Sequence, residues 1–364
     1  MIFLAGIRAQ HSRQSSLRNP ADSADKADRV LDGSVDHLST RGRGFDFRRI
    51  SKPWEIIMKH IAVSALAIAL ALGGSAALST SAGAGSAAAT DPVQTSSAAS
   101  AFGSYDPYGD FSADKTASIE ELFLPWEDVD LATLPLADAY ALQRNRSLLI
   151  TIEPWTWSKD WRITPNELRD GILSGKYDAN MQAICDLVGA MKSPVTIRWA
   201  QEMEDKNGRF TWANWAPKDW IAAYKREVDL CRKAAPAAKY MWSPKGEEGL
   251  EKYYPGDDYV DVIGLSVFGL QKKDNDEAGR DRTFAESLKP GYDRVAGFNK
   301  PVVVAELGYV GKQDYVSQWE ADSRKSYSEF PALTSVVYFN QKEVWPWLGV
   351  YGLPDWRVTQ HVLP

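Results

Sequence analysis

Two carboxylates stand where short apolar runs end: Glu202, closing Val195-Thr-Ile-Arg-Trp-Ala-Gln-Glu202, and Glu306, closing Val302-Val-Val-Ala-Glu306. Two acids facing each other across a cleft can divide glycoside hydrolysis between them. One attacks as nucleophile while the other serves first as acid and then as base, with carboxyl groups about 5 Å apart. The composition leaves few rivals. The histidines are His11, His37, His60 and His361, and the cysteines are Cys185 and Cys231. Structural zinc sites, Ser-His-Asp triads and Cys-His dyads are therefore excluded over most of the chain. Chemistry falls to carboxylates, Lys, Tyr or a bound cofactor, and the two-carboxylate scheme requires neither metal nor organic cofactor. Glu204 and Asp205 adjoin Glu202, and pattern alone does not choose among them. A third acid, Glu153, ends Ile150-Thr-Ile-Glu and could bond sugar hydroxyls or pair with Arg198.

Something must bring Glu202 and Glu306 to one place. Apolar runs recur at 101–105, 119–124, 147–152, 195–199, 239–242, 260–265, 301–305 and 335–338. Amphipathic stretches lie between most of them, with helix starts such as Thr164-Pro165-Asn166-Glu167 and Ala216-Pro217-Lys218-Asp219. Eight strands alternating with helices, several of them near-continuous Val/Ile/Leu, predict an α/β chain folded as a single (β/α)8 barrel. The acids end the fourth and seventh strands, 104 residues apart, or about 35 residues for each strand-helix unit of a barrel. Both then reach the same rim. A doubly wound open sheet is the alternative, but no Gly-rich phosphate loop follows the first strand. Tryptophans cluster after the strands. Indole faces stack on flat sugar faces, which makes Trp126, Trp155, Trp212 and Trp242 candidate platforms, although Trp also fills cores.

Ahead of this region, Met58-Lys-His is followed by the uncharged run Ile61 to Leu72 and by small-residue sites such as Ala82-Gly83-Ala84. That is the pattern of a secretory signal peptide. The expected organisation is an extension at 1–57 outside the working protein, a signal peptide at 58–84, a flexible linker at 85–100 and the barrel at 101–364. The protein is then secreted or periplasmic, unless an uncleaved 61–78 anchors it. Residues 85–364 carry a formal charge of −10. Such a charge disfavours nucleic acid and anionic lipid and suits a neutral polysaccharide bound by a monomer free of the membrane. Cys185 and Cys231 both fall in predicted helices and are expected as buried thiols, with a disulfide left open.

At these residues the chain resembles glycoside hydrolase family 26, the barrel family of β-mannanases, endo-β-glucanases and β-1,3-xylanases. The resemblance runs roughly from Phe102 to Trp347. It is carried by FGSYDP (Phe102 to Pro107), FLPW (Phe123 to Trp126), ITIEPW (Ile150 to Trp155), IRWAQEME (Ile197 to Glu204), YMWSPKG (Tyr240 to Gly246), YYPGDDYVDVIGLSVF (Tyr253 to Phe268), KPVVVAELG (Lys300 to Gly308) and VVYFN (Val336 to Asn340). It implies Glu202 as acid/base and Glu306 as nucleophile; Arg198 and Gln201 are expected to orient them, and Trp126, Glu153, Trp155, Trp212, Trp242, Phe268 and Tyr338 to contact substrate. There are departures. Gln201 replaces a His before the acid/base, Phe268 replaces a Tyr on the sixth strand, and Tyr338 replaces a Trp on the eighth. The expected function is a secreted endo-acting hydrolase of a neutral β-glucan or β-mannan type polysaccharide. The alternative is a non-catalytic or weakly active glycan-binding barrel serving exopolysaccharide production.

Overall fold

The computed structural model describes residues 100–159, 162–347 and 350–364. The expected extension, the signal peptide and all but the last residue of the linker lie outside them. Eight parallel strands pair in chain order: β1 Ala101–Tyr105, β2 Ala117–Pro125, β3 Ser147–Glu153, β4 Val195–Trp199, β5 Lys239–Trp242, β6 Val262–Leu270, β7 Val302–Val310 and β8 Leu333–Phe339. The ladder from Ala101↔Ser335 to Tyr105↔Phe339 closes β8 onto β1, so the sheet has no free edge. The chain is a (β/α)8 barrel. All eight apolar runs read from the sequence become strands. The sixth and seventh extend five residues beyond their expected ends, to Leu270 and Val310. Glu306 therefore lies within β7 rather than after it.

Between the strands run α1 Leu134–Gln143, α2 Pro165–Ser174, α3 Asp178–Ala190, α4 Pro217–Ala234, α5 Gln271–Ala278, α6 Phe284–Val295 and α7 Gln313–Ser323. The anticipated start of α2 is a capping box. Thr164 accepts from the backbone N–H of Glu167, whose carboxylate accepts from the N–H of Thr164 in return, with Pro165 in the first turn. Helices α3 and α4 approach so closely at Gly189 that an added Cβ would meet the Ala234 carbonyl oxygen at 2.1 Å. The same pair of helices carries Cys185 and Cys231, whose Cα atoms are 5.1 Å apart and whose sulfurs are bonded. The expected pair of buried thiols is thus a disulfide, because the two helices face each other across it.

Side chains on a strand alternate between the barrel interior and the helical shell. Leu149, Met241, Val303, Ala305 and Val337 pack together inside. Their neighbours Leu148, Ile150, Tyr240, Trp242, Val304, Val336 and Tyr338 belong to the cluster shared with the helices. One irregularity breaks the alternation. Between β6 and β7 the register moves from Leu265↔Val304 to Ser266↔Glu306, leaving Ala305 as an extra residue. This bulge turns Ala305 and Glu306 to the same side, so Glu306 faces inward where regular pleating would have aimed it at the helices.

Candidate active site

Inward positions near the C-terminal ends of the strands carry the charged groups. Arg198 of β4 is fully buried. Its Nη2 donates to Glu306 Oε1 at 2.8 Å, its Nε donates to Ser243 Oγ at 2.8 Å, and its Nη1 lies 3.5 Å from Glu121 Oε1 on β2. Burial alone would lower the pKa of Arg198, but the Glu306 and Glu121 carboxylates hold it above the ordinary value. Arg198 is thus a fixed cation beneath Glu306. Its carboxylate partners are Glu306 and Glu121 rather than Glu153.

The segment after β4 turns sharply, with Ala200 at φ 49° and Glu202 at φ 56°. Both non-glycine residues sit in the left-handed region, a costly conformation that clusters where side chains are held for function. The Glu202 N–H donates to Ser243 O at 2.8 Å, which ties this turn to the end of β5. Glu202 is 4% exposed, and its Oε1 accepts from Ser266 Oγ at 2.5 Å. Burial, then the charge of Glu306, push its pKa up to about 7, with Lys245 and Arg209 opposing. The structure also chooses among the neighbouring acids. Glu204 accepts from the backbone N–H groups of Gly246 and Glu247, and Asp205 pairs with Lys245 at 2.9 Å. Both are occupied with loop structure.

Gln201 is buried at the floor. Its Nε2 donates to Glu153 Oε1 at 2.8 Å, and the other oxygen of Glu153 accepts from Trp155 Nε1 at 3.0 Å. The cavity beside them is lined by Glu153, Trp155, Gln201, Glu306, Phe210, Phe123, Tyr105 and Phe339. A second hollow is lined by Glu202, Lys245, Asn207, Phe268, Trp347 and Tyr351. Arg209 and Trp345 border both. Arg209 Nη2 lies 3.2 Å from Glu343 Oε2, and Glu343, Glu202 and Glu306 hold its pKa above the ordinary value against the effect of burial.

Four expected substrate contacts fall elsewhere. Trp242 and Tyr338 sit at outward positions of β5 and β8, packed in the helical shell, with the Tyr338 hydroxyl donating to Trp356 O at 2.6 Å. Trp126, following β2, stacks near Tyr177 and donates to Thr156 Oγ1. Trp212 is fully buried behind the cavity, where its Nε1 donates to Gln201 O at 2.7 Å. The aromatic side chains that do line the hollows are Tyr105, Phe123, Trp155, Phe210, Phe268, Phe339, Trp345, Trp347 and Tyr351. Phe339 is one residue along from the expected Tyr338, as the strand's alternation requires. Arg209, Lys245 and Ser266 went unnoticed in the sequence because nothing in a loop Arg, a loop Lys or a strand Ser announces what it faces.

The family model described as glycosyl hydrolase family 26 matches residues 174–329. The resemblance to glycosyl hydrolase family 26 is borne out. Over 241 residues the chain is 22% identical to Endoglucanase H of Acetivibrio thermocellus, a match covering 62% of this chain and 25% of that protein. It is 25% identical over 179 residues to a β-1,3-xylanase of Alcaligenes sp., covering 47% of this chain and 34% of the relative. The chain thus spans a quarter to a third of the length of these curated relatives. A Cellulomonas fimi endo-β-1,4-mannanase double mutant has the same fold, with a TM-score of 0.54 at 15% identity over 66% of this chain and 65% of that one. Strands β4 and β7 lie wholly inside the matched segment, and with them Glu202 and Glu306.

Proposed function

We propose that this family 26 barrel is a retaining, endo-acting glycoside hydrolase of a neutral β-linked polysaccharide, of β-glucan or β-mannan type. The observation that carries the reading is the unequal treatment of two buried carboxylates at one rim. Glu306 is bonded to a permanent cation, Arg198, whereas Glu202 meets a neutral hydroxyl and is pushed up to about 7. Environments that separate two carboxyl groups in this way assign the base-like and acid-like parts. Glu306 attacks the anomeric carbon, and Glu202 gives its proton to the departing oxygen. Water then resolves the glycosyl-enzyme, with Glu202 accepting a proton from it. Glu306 and the aromatic-lined cavity beside Gln201 would hold the glycon, and the hollow beside Glu202 would hold the leaving chain. Gln201 fixes geometry only, since an amide carries no proton at neutral pH.

The names of the relatives, an endoglucanase, a β-1,3-xylanase and an endo-β-1,4-mannanase, support a β-linked substrate. The Cys185–Cys231 disulfide supports an oxidising, secreted or periplasmic setting. The experiment is a panel of β-mannan, mixed-linkage β-glucan, carboxymethylcellulose, β-1,3-xylan and bacterial exopolysaccharide, each with the wild type and Glu306→Ala. Oligosaccharide release is expected from the wild type on one of them, with a loss of about 10⁴-fold or more in the variant. On that substrate kcat/KM should fall as pH rises above about 7, because the acid form of Glu202 is lost. Undiminished hydrolysis by Glu306→Ala would refute the mechanism. Binding without cleavage by the wild type would leave a glycan-binding barrel.

A further inference from the structure

We propose that Ser266 is the positioning residue for Glu202, holding Oε1 so that Oε2 is the oxygen that exchanges its proton with the leaving group and then with water. The inference rests on the retaining mechanism proposed above. It is carried by the geometry of one hydroxyl on β6. Ser266 occupies an inward position of β6, directly opposite Glu306 in the register that follows the β7 bulge. From there its Oγ reaches Glu202 Oε1 at 2.5 Å, the one hydrogen bond to that carboxyl among the described residues. The backbone of Glu202 is fixed independently, by its N–H to Ser243 O. The same bulge that turns Glu306 inward therefore brings it beside Ser266 on the neighbouring strand.

A serine hydroxyl suits this task because it is neutral and donates in either state of its partner. When Glu202 is ionised, Oε1 accepts a charge-assisted bond. When Glu202 is protonated, Oε1 remains the accepting carbonyl and the proton resides on Oε2, facing the cleft. An Arg or Lys in the place of Ser266 would favour the ionised form strongly and suppress the acid step. The charged groups around Glu202 are Glu306 from β7, Arg198 from β4, Arg209 from the loop after β4 and Lys245 from the loop after β5. None of them donates to the Glu202 carboxyl, so only Ser266 distinguishes its two oxygens.

Removal of the hydroxyl makes the buried carboxyl harder to ionise and frees it to rotate. In Ser266→Ala the limb of the kcat/KM profile that falls with rising pH should move up by about one pH unit. On the polysaccharide cleaved by the wild type, kcat should drop about tenfold. A dinitrophenyl glycoside, whose leaving group needs no proton, should show an unchanged first step and a slowed second one. Ser266→Thr keeps the hydroxyl and should restore profile and rate, while Ser266→Cys, a weaker donor, should fall between. Pre-steady-state bursts and pH profiles of folded protein, verified by circular dichroism, read all of this. If the Ser266→Ala profile superimposes on the wild type while Glu202→Ala abolishes cleavage, the inference is overturned and the mechanism stands. If Glu202→Ala itself still cleaves at the wild-type rate, the mechanism fails and this inference with it.

Discussion

Toward the N-terminal ends of the strands the barrel interior is filled by Leu149, Met241, Val303, Ala305 and Val337. One or two positions further along the same strands or their neighbours, the inward side chains are Thr151, Arg198, Ser243 and Glu306, joined by Glu121 from β2. The lower layer needs only shape, and its contacts can be exchanged for others of similar volume. The upper layer holds charges taken out of water, which persist only because carboxylates, a guanidinium and the Thr151 and Ser243 hydroxyls partner one another. Stability and chemistry are thus separated along one axis, within about two residues of strand.

The sharpest way to break this contrast is at Arg198. Arg198→Met should leave Glu306 and Glu121 buried without their cation, costing about 3–5 kcal/mol in denaturant unfolding and lowering kcat by about 100-fold or more, because Glu306 loses both charge and orientation. Met241→Ala probes the other layer. It should cost about 2–5 kcal/mol by opening a cavity and leave kcat unchanged on whatever folded protein remains. A fall in kcat as large as that of Arg198→Met would show that the two layers are not separable.

The smallest expected effect lies outside both layers, at Glu227 in the helical shell. Neither of its carboxylate oxygens has a hydrogen-bonding partner among the described residues, and burial pushes its pKa up to about 8 from the ordinary 4.5. A folded-state value raised above the unfolded one favours the fold at low pH, and that contribution is lost as pH rises from about 4.5 to about 8. Glu227→Gln removes the ionisation. Its melting temperature should decline less than that of the wild type between pH 5 and 8, in thermal melts followed across that range. An identical decline would mean that Glu227 ionises as readily in the folded chain as in the unfolded one.

Much of the site was legible in the chain itself. Val195 to Trp199 and Val302 to Ala305 are apolar enough to declare themselves as buried parallel strands. The acids at their ends, in a sequence nearly bare of histidine, pointed to Glu202 and Glu306 before any fold was known. Of the other residues singled out, Gln201, Glu153, Trp155 and Phe268 line the hollows and Arg198 lies beneath Glu306. Trp126, Trp212, Trp242 and Tyr338 were not, and for Trp242 and Tyr338 the reason is plain. An aromatic residue in a parallel strand buried on both faces carries no mark of which face it joins, since interior and helical shell are equally apolar.

What the sequence determined by itself was the order of strands and helices, the helix starts at Thr164 and Ala216, and the standing of Glu202 and Glu306 at the ends of two apolar runs. These follow from local pattern, capping chemistry and composition. The tertiary structure alone decided which parity of each strand faces inward, and that Ala305 bulges so that Glu306 does. It also decided that Ser266, Arg209 and Lys245 surround Glu202, and that Cys185 meets Cys231. Those facts depend on registers between strands and on the approach of helices. They are contacts between residues tens of positions apart, which closure of the barrel creates and no local run of residues encodes.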